Sequence, residues 1–236
     1  MNIAIILAGG SGSRFGADRP KQFLTVAGKT IMEHTIEAFS RNSRIDGIAI
    51  VSRADFVEEV EEMVKRGGYT KVAKVLAGGK ERYHSSLAAL NAFTNDADNL
   101  LIHDCVRPLV TQRIIDDCID ALAEYEAVDV AIPTTDTIIE LDESGHISRI
   151  PQRRLLRNVQ TPQCFRRGTL NRAFELALRD PEFIPTDDCS VVFTYLPDVP
   201  IHVVAGDTQN IKITYPEDLR FAEQILTSPT ASPPTP

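Results

Sequence analysis

Short apolar runs recur along the first half of the chain, at residues 2–8 (NIAIILA), 46–52 (DGIAIVS), 99–102 (NLLI) and 127–133 (AVDVAIP). A strand of that composition has no face suited to water, so it must be covered on both sides. Helical patterns stand between the runs. Residues 30–41 set Ile31, Thr35, Ile36 and Phe39 at helical spacing, and 55–66 form an acid-rich amphipathic helix with Asp55 at its start. Residues 82–94 and 111–126 follow, the second with Thr111 able to cap it, while 71–76 (KVAKVL) alternate as a further strand. Strands that alternate with helices need crossover connections, which lay helices over both faces of a parallel sheet. The pattern predicts an α/β fold built on a doubly wound, mostly parallel sheet.

The rhythm breaks over residues 134–160. Residues 136–141 (DTIIEL) and 146–150 (HISRI) flank the turn signal Asp142-Glu143-Ser144-Gly145 and predict a hairpin arm. A helix over 168–179, a strand over 200–205, the segment 210–214 (NIKIT) as an apparent strand and a closing helix over 216–227 complete an expected unit of residues 1–227. The proline-rich tail 228–236 (SPTASPPTP) is expected to be disordered.

A net charge of −8 argues against wholesale binding to a nucleic-acid backbone, while leaving room for a local basic pocket. Cys105, Cys118, Cys164 and Cys189 are scattered, without CxxC pairs, and read as free thiols of a reducing compartment. There is no basic n-region at the start and no apolar run of membrane-spanning length. The expectation is a cytoplasmic globular protein with neither membrane nor nucleic acid as partner.

Chemistry-bearing residues gather at the ends of the predicted strands. After the first come Leu7-Ala8-Gly9-Gly10-Ser11-Gly12-Ser13-Arg14-Phe15-Gly16 and then Pro20-Lys21-Gln22. Glycines there let backbone N–H groups approach phosphate oxygens closely. The spacing is not that of a dinucleotide fingerprint, and no GK[ST] follows. Two cations, Arg14 and Lys21, lie within one loop of the glycines. Arginine forks across two phosphate oxygens and lysine supplies a mobile charge, which suits a triphosphate losing pyrophosphate. Alone, such a turn is more often just a turn with solvated basic residues, so the weight falls on what accompanies it.

His103-Asp104-Cys105-Val106-Arg107-Pro108 follows another buried strand, where open α/β sheets bind ligands. Asp104 is placed to hold Mg²⁺, which bridges phosphates and offsets their charge. Arg107 reads equally well as an ion-pair partner that shapes the loop, and His103 reads as a satisfied loop or core histidine. Later hydroxyls and amides (Thr134 to Thr137, Gln160 to Gln163, Thr186) can bind a polyol, although turn chemistry also accounts for them. Lys212, set between Ile211 and Ile213, needs an anion if it points inward. Asp187 and Asp188 point to opposite faces if the chain there is extended. The arginines at 149, 153, 154, 157, 166 and 167 lack the interleaved aromatics of a nucleic-acid patch.

Taken in order, LAGGSGSRFG…PKQF, GGKERYHS, HDCVRP, DTI, QTPQCF, TDD and NIKIT run across about residues 3–226. The series resembles the polyol-phosphate cytidylyltransferases, the family of methylerythritol phosphate and ribitol phosphate enzymes within the larger nucleotidyltransferase superfamily. The resemblance implies a Rossmann-like sheet of nucleotide-diphospho-sugar transferase type and a homodimer joined through protruding β-hairpin arms. It also implies a Mg²⁺-dependent in-line displacement in which the acceptor's phosphate attacks the α-phosphorus of CTP. Carried over by position, Leu7, Ala8, Gly9, Gly10, Ser11 and Gly12 hold the nucleotide, and Arg14, Lys21 and Lys212 are catalytic. Gly79, Arg82 and Ser85 take the cytosine and ribose, and Asp104 contacts the metal. Arg107, Thr137, Arg153, Thr161 and Thr186 surround the polyol phosphate, with Arg153 reaching in from the neighbouring subunit's arm.

Within that family the methylerythritol branch usually reads HDAARP and DTIK, whereas this chain reads HDCVRP and DTIIE, with Glu140 in place of a lysine. Together with IPQR at 150–153 and QTPQ at 160–163, this favours ribitol 5-phosphate as acceptor over 2-C-methyl-D-erythritol 4-phosphate. Lys80 departs from the small or acidic residue usual beside the base. Two other readings are a dimer that binds nucleotide without catalysis, and transfer from UTP or GTP to a sugar 1-phosphate; the HDCVRP and QTPQ segments speak against the second.

Overall fold

In the computed structural model, which describes residues 1–10 and 19–228, the apolar runs form the middle of one sheet. In chain order the elements are β1 (Asn2–Ala8), a small hairpin of β2 (Thr25–Val26) and β3 (Lys29–Thr30), α1 (Ile31–Ser40), β4 (Gly47–Ser52), α2 (Val57–Gly67), β5 (Val72–Ala77) and α3 (Arg82–Ala92). They continue with β6 (Asn99–Asp104), α4 (Gln112–Glu124), β7 (Ala127–Pro133), the hairpin β8 (Glu140–Leu141) and β9 (Ile147–Arg149), β10 (Arg157–Val159) and β11 (Gln163–Arg166). The chain closes with α5 (Arg167–Ala177), α6 (Asp188–Tyr195), β12 (Ile201–Ala205) and α7 (Pro216–Thr227). Serine 11, Gly12 and Arg14 lie outside the described residues, as does the tail from 229.

The sheet order is β10-β7-β11-β6-β1-β4-β5, with β12 also on β7. Neighbours β5, β4, β1 and β6 are parallel, as are β12 and β7, while β10 and β11 run antiparallel to their partners. β1 shows why both faces are apolar. Ala4, Ile6 and Ala8 pack in one core with residues of α1, α2 and α4. Ile3 and Ile5 pack in a second with residues of α3, α5 and α6. A third cluster joins Val26, Val106, Leu109, Ile213 and Ala222, tying α7 to the loops that follow β6 and β12.

Local signals hold at several helix starts. Thr30 and Glu33 cap α1 reciprocally, and the Thr111 hydroxyl accepts from the Ile114 amide. α2 starts later than expected: Asp55 lies in a short 3-10 turn and pairs with Arg53 instead of capping. Three expectations are corrected. β11 cuts between β6 and β7 from a segment read only for its amides and hydroxyls; its Cys164 and Phe165 are fully buried. Asp187 and Asp188 are not on an extended strand but begin α6, with Asp187 accepting from the Ser190 amide. Residues 210–214 form no strand. The arm is as expected: β8 and β9 pair antiparallel around Gly145 at φ 82, a left-handed conformation that glycine adopts without a Cβ clash, and residues 135–150 are exposed throughout. All four cysteines are buried and free. Among the described residues no helix is long and apolar enough to cross a membrane.

Phe165 has no solvent exposure and fills the face covered by α5 and α6. Phe165→Ala is expected to lower unfolding free energy by about 3–5 kcal/mol, measured by urea denaturation.

Candidate active site

The carboxyl ends of β1 and β6 lie side by side, with Leu7 paired to Asp104 in register. Above them opens a cleft of about 400 Å³. Of the residues singled out from the sequence, Leu7, Ala8, Gly9, Gly10, Lys21, Gly79, Arg82, Ser85, Asp104 and Lys212 line it together, joined by Gln22, Lys80, Glu81, Cys105 and Val106. The turn leaving β1 is held by Gln22, a buried amide whose Nε2 donates to the carbonyls of Ala8 (2.7 Å) and Gly10 (3.2 Å). α3 begins at Arg82, and Glu81, Arg82 and Ser85 at its start line the same space. The approach to that helix needs glycine: a Cβ on Gly79 would sit 2.6 Å from the Cβ of His84.

Asp104 is the electrostatic centre. Its Oδ2 lies 2.8 Å from Lys212 Nζ and 3.9 Å from Arg107 Nε, and its Oδ1 lies 3.9 Å from Arg82 Nε. Burial opposes charge on this carboxylate, but Lys212, Arg82 and Arg107 outweigh it and bring its pKa down to about 2. Asp104 is therefore ionised throughout the physiological range. Lys21 is buried and donates to the Ile213 carbonyl at 2.6 Å, one residue beyond Lys212.

Arg82 carries a second partner that sequence reasoning missed. Its Nη1 lies 2.5 Å from Oδ2 of Asp188, a residue 1 % exposed. Burial weakens the charge on Arg82, and Asp188 and Asp104 more than restore it. Behind this pair, Gln163 accepts from the Asp188 amide and donates Nε2 to both Asp187 (3.0 Å) and Asp129 (3.2 Å). The signal available was TDD beside QTPQ, but the pairing of Arg82 with Asp188 spans 106 residues.

Other expected residues fall elsewhere. Thr161 is buried beneath the cleft, where its hydroxyl accepts from the Asp104 amide (3.1 Å) and bonds His103 Nδ1 (3.0 Å). Burial brings the His103 pKa down to about 4, consistent with a neutral, satisfied ring that also bonds the Arg107 carbonyl. Arg107 donates Nη1 to the Asn210 carbonyl at 2.8 Å. Thr137 and Thr186 are exposed and do not line the cleft. Arg153 bonds the Thr135 carbonyl and borders a separate hollow of about 570 Å³ with Thr134, Arg154 and Arg157. Glu140 pairs with Arg149 across the arm hairpin at 3.2 Å. Among the described residues no group of three or more His, Cys, Asp or Glu is gathered to hold a metal.

A family model described as IspD, 2-C-methyl-D-erythritol 4-phosphate cytidylyltransferase, matches residues 2–228. A 2-C-methyl-D-erythritol 4-phosphate cytidylyltransferase of Thermobifida fusca is 45% identical over 94% of this chain and 92% of its own length. A bifunctional ribulose 5-phosphate reductase/CDP-ribitol pyrophosphorylase of Haemophilus influenzae is 43% identical over 96% of this chain, which spans 48% of that protein. Among solved structures, 4-diphosphocytidyl-2C-methyl-D-erythritol synthase of Anaerococcus prevotii superposes with a TM-score of 0.84 at 29% identity, covering 97% of this chain and 96% of the other.

Asp129 makes a testable exception among the carboxylates. Burial raises its pKa to about 6, with Asp187 adding to the rise and the Gln163 hydrogen bond opposing it. A folded pKa above the unfolded value favours the folded state when the group is protonated, and that contribution is lost as pH rises through about 6. Asp129→Asn, which keeps the acceptor for Gln163, is expected to stabilise the protein at pH 8 by on the order of 1–3 kcal/mol relative to its effect at pH 4. Thermal or urea unfolding at the two pH values measures the difference.

Proposed function

The chain belongs to the 2-C-methyl-D-erythritol 4-phosphate cytidylyltransferase (IspD) family, and on that premise we propose that it transfers CMP from CTP to 2-C-methyl-D-erythritol 4-phosphate, releasing pyrophosphate. The sequence motifs alone favoured ribitol 5-phosphate. That preference gives way because the family model and the full-length relatives carry the methylerythritol name. The ribitol reading retains one specific support, the 43% identity to the CDP-ribitol pyrophosphorylase.

The observation that carries the reading is the convergence of Arg82 and Lys212 on the ionised Asp104 at the strand ends, with Lys21 lining the same cleft. Four cations among the described residues line the cleft, Lys80 with these three, which suits a triphosphate, and the glycine turn offers backbone N–H groups beside them. In our reading the acceptor's phosphate oxygen attacks the α-phosphorus, that P–O bond forms, and the bond to the β-phosphate oxygen breaks in line. Lys21 and Lys212, with Arg14, offset the charge that develops on the α-phosphoryl oxygens and on the departing pyrophosphate. Gly79, Arg82 and Ser85 hold the nucleoside end against α3. Arg107, Thr137, Arg153, Thr161 and Thr186 remain proposed acceptor contacts, Arg153 acting from a second copy's arm.

Mg²⁺ fits this donor set. A single carboxylate kept ionised beside the triphosphate site is what an ion that takes most remaining ligands from phosphates and water requires. Asp104 would hold it, and when bound it supplies charge neutralisation on the phosphates. Before that, Asp104 is engaged with Lys212.

We read the chain as one catalytic unit over residues 1–227 that works as a homodimer. The arm presents Leu141, Ile147, Ile150 and Leu155 at 58 to 67% exposure, more apolar surface than an isolated hairpin keeps in water without a partner. Ile147→Asp is expected to shift the protein toward monomer in analytical ultracentrifugation.

The reaction is tested by pyrophosphate release with CTP against the two acceptors in parallel. Turnover with 2-C-methyl-D-erythritol 4-phosphate exceeding that with ribitol 5-phosphate supports the reading; the reverse order overturns the choice of acceptor. Lys21→Ala and Lys212→Ala are each expected to lower kcat on the order of tenfold or more, and unchanged release in both would remove these lysines from the chemistry.

A further inference from the structure

Lys212 stands on a segment with no ladder to hold it. After Gly206, whose amide still donates to the Ala131 carbonyl of β7 at 2.9 Å, residues 207–214 form no strand, yet Lys212 Nζ is brought to 2.8 Å from Asp104. A loop without regular hydrogen bonds samples many conformations unless side chains satisfy its backbone. Here one buried amide satisfies loop backbone, and a second, on the loop itself, ties it to its neighbours. Asn210 has no solvent exposure, and its Nδ2 donates to Gln160 Oε1 (3.2 Å) and to the Thr161 carbonyl (2.9 Å). Gln160, 5 % exposed, turns its Nε2 to the Asp207 carbonyl (2.8 Å) and accepts from the Asp207 amide at 3.3 Å. Both neighbours of Asn210 Nδ2 are acceptors, which fixes the orientation of its amide.

The far side of the loop is tied as well. The Asn210 carbonyl accepts from Arg107, and the Ile213 amide donates to the Val106 carbonyl at 2.8 Å, with the Ile213 side chain fully buried. Ile211 and Lys212 thus lie between two anchors, Asn210 and Ile213. Gly206 completes the arrangement: a Cβ there would lie 2.5 Å from Gln160 Oε1. Only glycine lets the Gln160 amide reach across to Asn210.

We infer that Asn210 and Gln160 are positioning residues for Lys212, a side-chain clasp that does for this loop what a sheet ladder does for Asp104. The inference rests on the reading of Lys212 as a catalytic group. It places neither amide on the substrate: both act through the loop.

The test uses the full-length protein and two variants of different kind. Asn210→Ala removes the donor; Gly206→Ala keeps both amide residues and displaces the Gln160 amide by contact with the flexible end of its side chain. Each is made alone and with Lys212→Ala. Both single variants are expected to lower kcat on the order of tenfold or more, with KM for CTP changed by about threefold or less. In the Lys212→Ala background the same changes are expected to cost no more than about twofold, because the clasp then has nothing to aim. Equal losses in both backgrounds, or wild-type kcat in Asn210→Ala, overturn the inference. Hydrogen–deuterium exchange of the 206–214 segment gives a readout independent of activity. Faster exchange in both variants supports the clasp even if Lys212→Ala proves fully active, a result that would sink the catalytic role of the lysine instead. Unchanged exchange overturns the clasp itself.

Discussion

A buried carboxylate surrounded by cations sets the terms for the rest of this molecule. Asp104 ends a strand whose middle, Leu100 to Ile102, is apolar and fully buried, and an ionised group there is tolerated only because Lys212, Arg82 and Arg107 stand around it. Each cation arrives from a different part of the chain: Arg82 from the first turn of α3, Arg107 from the loop after β6, and Lys212 from the segment beyond β12. The doubly wound sheet brings those three regions to one end, because they follow β5, β6 and β12, whose carboxyl ends point the same way. The cleft is a consequence of topology, and its charge balance is a consequence of Asp104.

A shell of uncharged or indirectly acting side chains keeps this cluster in place. Gln22 fixes the turn after β1, Thr161 receives the Asp104 amide, and Gln163 holds the segment that supplies Asp188 to Arg82. These residues share a character: amides and hydroxyls, nearly unexposed, bonded to backbone. Buried polar groups of this kind are costly when unsatisfied, so each one also reports a constraint on its neighbours. The antiparallel insertion of β11 matters for the same reason, since it places Gln163 between β6 and β7 and beside α6.

Much of the architecture was readable from local pattern. Apolar runs marked the central strands, helical periodicity marked α1 to α5 and α7, and Gly145 with its polar flanks marked the arm. Lys21, Arg82, Asp104 and Lys212 were singled out by their places after strands or within a series of motifs, and they meet in one cleft. The reading failed where residue type and neighbourhood disagreed. NIKIT alternates like a strand yet has no partner, and QCFR is a strand behind a segment that looked like a loop. Asp187 and Asp188 fit an extended segment by local pattern and instead begin a helix, because Asp187 finds the Ser190 amide.

The sequence by itself determined the periodicities, the apolar faces and the supply of cations and glycines, because these depend on residues close together in the chain. It also carried the ordered motifs that mark the family. Only the tertiary structure decided which charges face one another: Arg82 meets Asp188 across 106 residues, and Lys21 meets the Ile213 carbonyl across 192. It likewise decided that Thr161 lies under the cleft and that two amides, not a ladder, carry Lys212 to Asp104. The physical reason is that pairing of a buried charge is settled by which surfaces pack together, and short-range spacing holds no record of that.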